Sequence, residues 1–346
     1  MHYSLNRFSN GFLIVPVLLC FPFIVSIARA AENTELLPLT AYGHPDLQGL
    51  WTNPSQTPME RPLELGQQSV YTEAEAQALI ARALDMDRAR SAPLDPNRSA
   101  PEQGGTIDQQ ADGNFEIMPT EIAKVNGEYR TSLVVDPPHG RFPRKESAAD
   151  IFADWIAQGH GAFDGPEIRP AGERCLNPGA QLPLLTTFFS AEVGNPGGDN
   201  PVRNIQIVQT EKYVVILAEY FSLVRIIRLG TEHLEAQGPK WMGDSIASYE
   251  GNTLKIHTNN FRPEQSSFFL RSSDQLEITE SFTLVSRDEI LFSFTVTDPK
   301  IYSQPFTGEI PLKRMAPGQE IYEYACHEEN YSMSSILRAA RMGEAQ

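Results

Sequence analysis

The chain is short of cysteine, with only Cys20, Cys175 and Cys326 in 346 residues. It has no G-x-G-x-x-G, no G-x-x-x-x-G-K-[ST] and no H-E-x-x-H, so a dinucleotide, a phosphate loop and a zinc-protease helix all lack their anchoring motif. Basic charge is scarce: 28 Lys and Arg stand against 44 Asp and Glu, a formal charge of −16. That balance repels nucleic acid and anionic membrane surfaces. The seven histidines form no His-x-His or His-x₃-His pair, and no nucleotide cofactor or metal is expected from motif or spacing. Gly243-Asp244-Ser245-Ile246-Ala247 ends in Ala where a serine-hydrolase elbow needs Gly.

Long apolar runs are also missing, except at the start. FLIVPVLLCFPFIV (12–25) follows Arg7 and precedes Ala28-Arg29-Ala30, the pattern of a signal peptide cut after Ala30. Pro16 and Pro22 disfavour a permanent membrane helix. Leu18-Leu19 do not supply the small residues that a lipoprotein signal needs before its Cys. The expectation is a periplasmic or secreted protein with no stable membrane insertion after cleavage. Losing Arg7 and Arg29 and no acid takes the formal charge from −16 to −18. Cys175 and Cys326 then remain, and in an oxidising compartment they read as one disulfide. Closing a loop of that length is worth on the order of 4–5 kcal/mol in the chain-entropy model.

What is present is alternation. In ITESFTLVS, Ile278, Glu280, Phe282 and Leu284 share one face, and ILFSFTV runs similarly with Ile290, Phe292, Phe294 and Val296. Half-buried strands read this way. About eight to ten strands follow one another with short turns, among them 204–210, 213–220, 222–229, 243–249, 253–258 and 307–315. The fold class is therefore mainly β: an antiparallel meander, read as a lipocalin-like β-barrel with an N-terminal extension and a few short helices. Such a barrel has an interior able to hold one small ligand. The helices are expected at 73–90, behind a Thr72/Glu75 capping box, at 147–161, and after Ser332. Residues 91–113 read as a long loop. The division is 1–30 signal peptide, 31–113 extension, 114–346 barrel with the C-terminal helix.

Four blocks, PDLQGLWTN (45–53), RTSLVVDPPHGRFP (130–143), WMGDSIASYEGNTLKIHTNNF (241–261) and YEYACHEENY (322–331), together resemble a large family of secreted bacterial hypothetical proteins with no assigned function. The resemblance spans nearly the whole mature chain and implies association with bacteria that degrade aromatic or steroid-like compounds. It supplies no catalytic set. Separately, Gly49-Leu50-Trp51 resembles the G-x-W opening of lipocalins, although the helix and long loop between 73 and 113 depart from that family's compact start.

YEYACHEENY is the densest chemistry. Tyr324, His327, Glu328 and Tyr331 lie within it, beside a cysteine whose partner segment brings Glu173 and Arg174. A carboxylate or imidazole held near tyrosine hydroxyls moves protons. The structural reading is a staple whose acids suit the entry of a helix. Arg130, His139, Arg141 and Arg144 gather cations around Pro137-Pro138, fit to hold a substrate carboxylate or to pair with surface acids. Asp244, after Gly243, suits a buried carboxylate at a strand start. Trp241 lies beside it, and Glu219 ends the apolar strand YVVILAEY, where it is a buried base if it faces inward.

Three functions follow. The first is a cofactor-independent enzyme acting by acid–base chemistry (lyase, decarboxylase or isomerase type) on a small hydrophobic or aromatic molecule. His327, Glu328, Asp244, Glu219 and Tyr324 would move protons, and Arg130, His139, Arg141, Arg144, Trp241 and Tyr331 would bind. The second is a lipocalin-like binding protein for a hydrophobic ligand, and the third a metal-dependent hydrolase.

Overall fold

The computed structural model describes residues 36–90, 119–146, 151–161, 163–169, 171, 174–176, 204–230, 232–234, 238–265, 271–328 and 330–344, with 92, 93, 96, 97 and 99. Residues 1–30, read as a signal peptide, most of the 91–113 stretch and Glu173 lie outside these residues.

Thirteen strands occur among them: β1 Gly49–Thr52, β2 Val70–Tyr71, β3 Lys124–Val125, β4 Glu128–Arg130, β5 Val134–Asp136, β6 Asn204–Gln209, β7 Tyr213–Ala218, β8 Leu223–Leu229, β9 Asp244–Glu250, β10 Thr253–Asn259, β11 Glu277–Ser286, β12 Glu289–Thr297 and β13 Phe306–Arg314. Three α-helices accompany them: α1 Glu73–Arg90, α2 Ile151–Ala157 and α3 Ser332–Glu344. Helix α1 starts where its capping box requires. Thr72 N–H donates to Glu75 Oε2 at 2.7 Å, and Glu75 N–H donates to Thr72 Oγ1 at 3.3 Å.

Strands β1, β6–β13 close into a nine-stranded barrel in the order β1-β6-β7-β8-β9-β10-β11-β12-β13, with β13 returning to β1. The first strand lies within the stretch read as an extension. It joins barrel ends through Trp51↔Arg314 and Thr52↔Lys313. The Arg314 guanidinium lies 4.2 Å over the buried Trp51 ring, and the indole N–H donates to Leu47 C=O at 2.8 Å. Strand β5 pairs with the other end of β13, and β2, β4 and β3 form a small separate sheet.

One feature of the meander needs correction. The ladders are antiparallel except between β8 and β9, which run parallel and pair only at Arg228↔Ile246 and Leu229↔Ala247. The sheet is therefore mixed. Parallel neighbours need a crossover, and residues 230–243 supply it.

Inside the barrel the alternation seen in the sequence holds. Ile278, Phe282 and Leu284 of β11 face Val296, Phe292 and Ile290 of β12, all almost fully buried. The Phe282 and Phe292 rings pack at a tilt with centroids 4.6 Å apart. Gly308 faces Phe294 so closely that a Cβ there would sit 2.2 Å from the ring. Trp51, Ile205, Val214, Ile227, Ile256 and Leu312 complete one contiguous apolar cluster. Side chains thus fill the barrel axis, as eight-stranded barrels of similar bore allow.

Candidate functional site

YEYACHEENY is a strap. Cys326 is bonded to Cys175 across 151 residues, the pairing expected from the compartment. Upstream, the strap docks on the turn between β7 and β8. Tyr322 N–H donates to Glu219 Oε1 at 3.0 Å, Tyr324 N–H donates to Ser222 Oγ at 3.2 Å, and the Tyr324 ring stacks on Phe221 at 5.2 Å. Strand β7 ends at Ala218, so Glu219 lies in the turn and not on an inward strand position; its other oxygen accepts from Asn204 Nδ2 at 2.5 Å. His327, Glu328 and Tyr331 are exposed.

The arginine group is occupied. Arg130 pairs with Glu128 at 3.2 Å and Glu309 at 3.3 Å, and Arg144 pairs with Glu60 at 3.2 Å. Arg141 Nη1 donates to the Arg61 carbonyl at 2.6 Å, and the exposed His139 accepts the Arg141 N–H at 3.2 Å. Trp241 lies 5.9 Å from Arg174 and 5.4 Å from Arg262. The structure does not bring these arginines together with His327 or Asp244 around one space among the described residues.

Asp244 is different. It opens β9 on the outer barrel face and is 4 % exposed. The preceding Gly243 makes that placement possible. Its φ is +66°, and a Cβ would meet Asn259 O at 2.6 Å and Thr258 Cγ2 at 2.6 Å. Only glycine fits so close a backbone approach at that dihedral. Arg228, three strand positions past the inward Arg225, faces outward and grips the carboxylate with both nitrogens, at 3.0 and 2.9 Å. Lys240 approaches to 3.4 Å. The crossover adds Leu234 N–H at 3.2 Å and His233 Nδ1 at 2.9 Å. The Arg228 bond, then those from His233 and Leu234, hold the carboxyl well below the usual aspartate range, against the opposing effect of burial.

The chain of contacts continues. His233 Nε2 lies 2.8 Å from Nδ1 of His257, on the outer face of β10. His257 Nε2 lies 3.7 Å from Glu277 Oε2 at the start of β11. Glu277 borders an open cleft of about 570 Å³ at the barrel lip, lined also by Asn259, Asn260, Asp274, Leu276 and Thr297. An ionised carboxylate only accepts hydrogen bonds, so His233 carries its proton on Nδ1. In the neutral ring its Nε2 then accepts, His257 donates from Nδ1, and His257 Nε2 bears a lone pair.

A second polar group lies inside. Arg225, 4 % exposed, forms a bidentate pair with Glu280, 1 % exposed. Its Nη2 also donates to Thr258 Oγ1 at 2.8 Å, and its Nε to Ser245 Oγ at 3.3 Å. Every charged atom there has a partner within the core, which marks it as structural.

Of the residues in this cluster, the sequence pattern singled out Asp244 and not Arg228, His233, His257 or Glu277. The histidines are far apart in sequence with no motif between them. The one available signal was that 241–261 formed a distinct block with His257 on its second strand. Among the described residues no helix is long and apolar enough to cross a membrane, and no group of three or more His, Cys, Asp and Glu side chains is arranged to hold a metal ion. No protein-family model and no curated protein matches the chain.

Proposed function

We propose that the protein is an exported enzyme that performs acid–base chemistry on a small molecule bound in the lip cleft, with His257 Nε2 as the base. The observation that carries this reading is the one-way hydrogen-bond chain from Asp244 through His233 to His257. Asp244 orients His233 and stabilises positive charge on it. His233 accepts the Nδ1 proton of His257. The basic nitrogen is left facing Glu277, which borders the cleft. Once His257 takes a proton, Glu277 stands ready as its counter-charge. General acid–base catalysis of this kind typically supplies about 10²–10⁴-fold.

The cleft lining of Asn259, Asn260, Asp274 and Thr297 favours a polar ligand over the hydrophobic one inferred from the barrel alone. The filled barrel axis supports the same shift. Export rests on the leader pattern and is consistent with the disulfide. His327, Glu328, Tyr324 and Glu219 then belong to the strap and its dock, outside the chemistry.

The test uses a panel of small carbon acids and activated esters. Solvent-deuterium incorporation or hydrolysis is followed by NMR for the wild type and His257→Gln. Turnover that falls at least 100-fold in the variant, with His327→Ala unaffected, supports the reading. Turnover equal in wild type and His257→Gln removes it. Ligand binding in the cleft with no turnover would favour a binding protein instead.

A further inference from the structure

We infer that the space between His233 and His257 is a cation site that takes one transition-metal ion of the zinc or copper class. The inference goes beyond the acid–base reading, because it concerns ion binding and is tested without any substrate. It starts from what the two rings face. Each turns its outer nitrogen to a carboxylate: His233 Nδ1 to Asp244 at 2.9 Å, His257 Nε2 to Glu277 at 3.7 Å. Each turns its inner nitrogen to the other ring, 2.8 Å away. Both carboxylates favour a proton on the outer nitrogen. If both have it, two lone pairs converge on one point. Such a pair needs a cation between them. With one proton the pair is an N–H···N bond, the arrangement described above. A metal ion takes the place of that inner proton, which shifts to the outer nitrogen of His257.

Imidazole nitrogen suits zinc and copper. A carboxylate on the far nitrogen is the usual companion of a metal-bound histidine, because it fixes the tautomer and raises the ring's basicity. Here both rings have one. Two bonds of about 2.0–2.1 Å at a tetrahedral metal set the nitrogens roughly 3.3 Å apart, so the pair must open by about half an ångström. His233 lies on the crossover 230–243 and not in a strand, which leaves it able to move. The rings meet edge-on at 69° and are partly open to solvent. Water completes the coordination from the outside, as no third protein ligand is in place.

The charges facing the site are Asp244 and Glu277 in favour, and Arg228 and Lys240 against; both cations sit on Asp244 and offset it. The ion is therefore exchangeable, not a permanent constituent. When it binds, the single proton of the neutral His257 ring moves through solvent from Nδ1 to Nε2, toward Glu277, and none is released. The metal-bound protein lacks the free base at Nε2, so metal and acid–base function exclude one another.

The full chain, free of any histidine tag, is titrated by calorimetry with Zn²⁺ and with Cu²⁺ alone at neutral pH. The expected result is one ion per chain. Affinity should fall at least tenfold in His257→Gln and in His233→Asn, fall less in Glu277→Gln, and stay unchanged in His327→Ala. His257 is partly open to solvent on the outer face of β10, outside the apolar core, so its variant decides the matter if the His233 variant does not fold. No saturable binding up to millimolar ion overturns the inference. So does binding that His257→Gln leaves intact. Failure of the acid–base reading would look different: metal binding at this pair with no turnover that His257→Gln alters.

Discussion

The wall formed by β11 and β12 and the seam between β8 and β9 hold one barrel together by different means. The wall is paired along the length of both strands, from Glu277↔Thr297 to Ser286↔Glu289, and its inner face is Ile, Phe, Leu and Val apart from Glu280. The seam has backbone pairing only at Arg228 and Leu229. Arginines replace the missing ladder. Arg225 reaches inward to Ser245, Thr258 and Glu280, on β9, β10 and β11. Arg228 reaches outward to Asp244 at the start of β9. A strand can be bound to its neighbour through side chains on both faces where backbone groups cannot meet. The candidate site grows from that exterior link, because the crossover that a parallel pair requires delivers His233 to Asp244.

The largest effect should come from breaking the interior link. Arg225→Met leaves the Glu280 carboxyl unpaired in the core, a loss of about 3–5 kcal/mol by denaturant unfolding. Adding Glu280→Met should recover most of it, since a buried pair and a well-packed apolar pair are close in stability. A wall residue has no such rescue: Phe292→Ala costs about 3–5 kcal/mol through the cavity it leaves. If the double variant at the seam stays as unstable as Arg225→Met, ionic stitching is not what holds β8. Reduction of Cys175–Cys326 should come next, at about 2–5 kcal/mol, and should loosen the strap without altering His257 chemistry.

The exterior link gives a pH signature. The Asp244 carboxyl is held below its unfolded value, so its contribution is full at neutral pH. That contribution is lost as pH falls through the ordinary aspartate range near 3.9 toward the folded value. Asp244→Asn should lower neutral-pH stability by about 1–3 kcal/mol and remove that part of the acid-induced loss. An unchanged acid profile in the variant would mean that Arg228 holds nothing. The smallest effect is expected from Thr258→Val, about 1 kcal/mol from one hydrogen bond to Arg225, with the wall unaffected.

The strands of the wall were legible because apolar and polar residues alternate cleanly there, as at Phe282, Phe292 and Phe294. Strand β8, SLVRIIRL, was legible as a strand but not in its facing. Leu223, Arg225, Ile227 and Leu229 form one face, and Val224, Ile226 and Arg228 the other, so each carries an arginine among apolar residues. Burial chose the face with Arg225 because Glu280 waits there. Glu280 itself lay in plain sight on an apolar face of ITESFTLVS, an odd charge whose partner no local pattern names. The parallel seam was hidden for a related reason. Residues 230–243 read as another connection, and pairing direction depends on where the chain returns.

The sequence by itself determined the local matters: the strands and hairpin turns, the capped helix α1, and a cysteine pair left for one disulfide. These follow from dihedral preference, side-chain alternation and the count of available partners, which act over a few residues or by elimination. Only the tertiary structure decided that Arg225 points in and Arg228 out, that YEYACHEENY straps a turn, and that Asp244, His233, His257 and Glu277 form one hydrogen-bonded and charged line. Those outcomes depend on which distant strands become neighbours. A difference of one residue in register reverses every face.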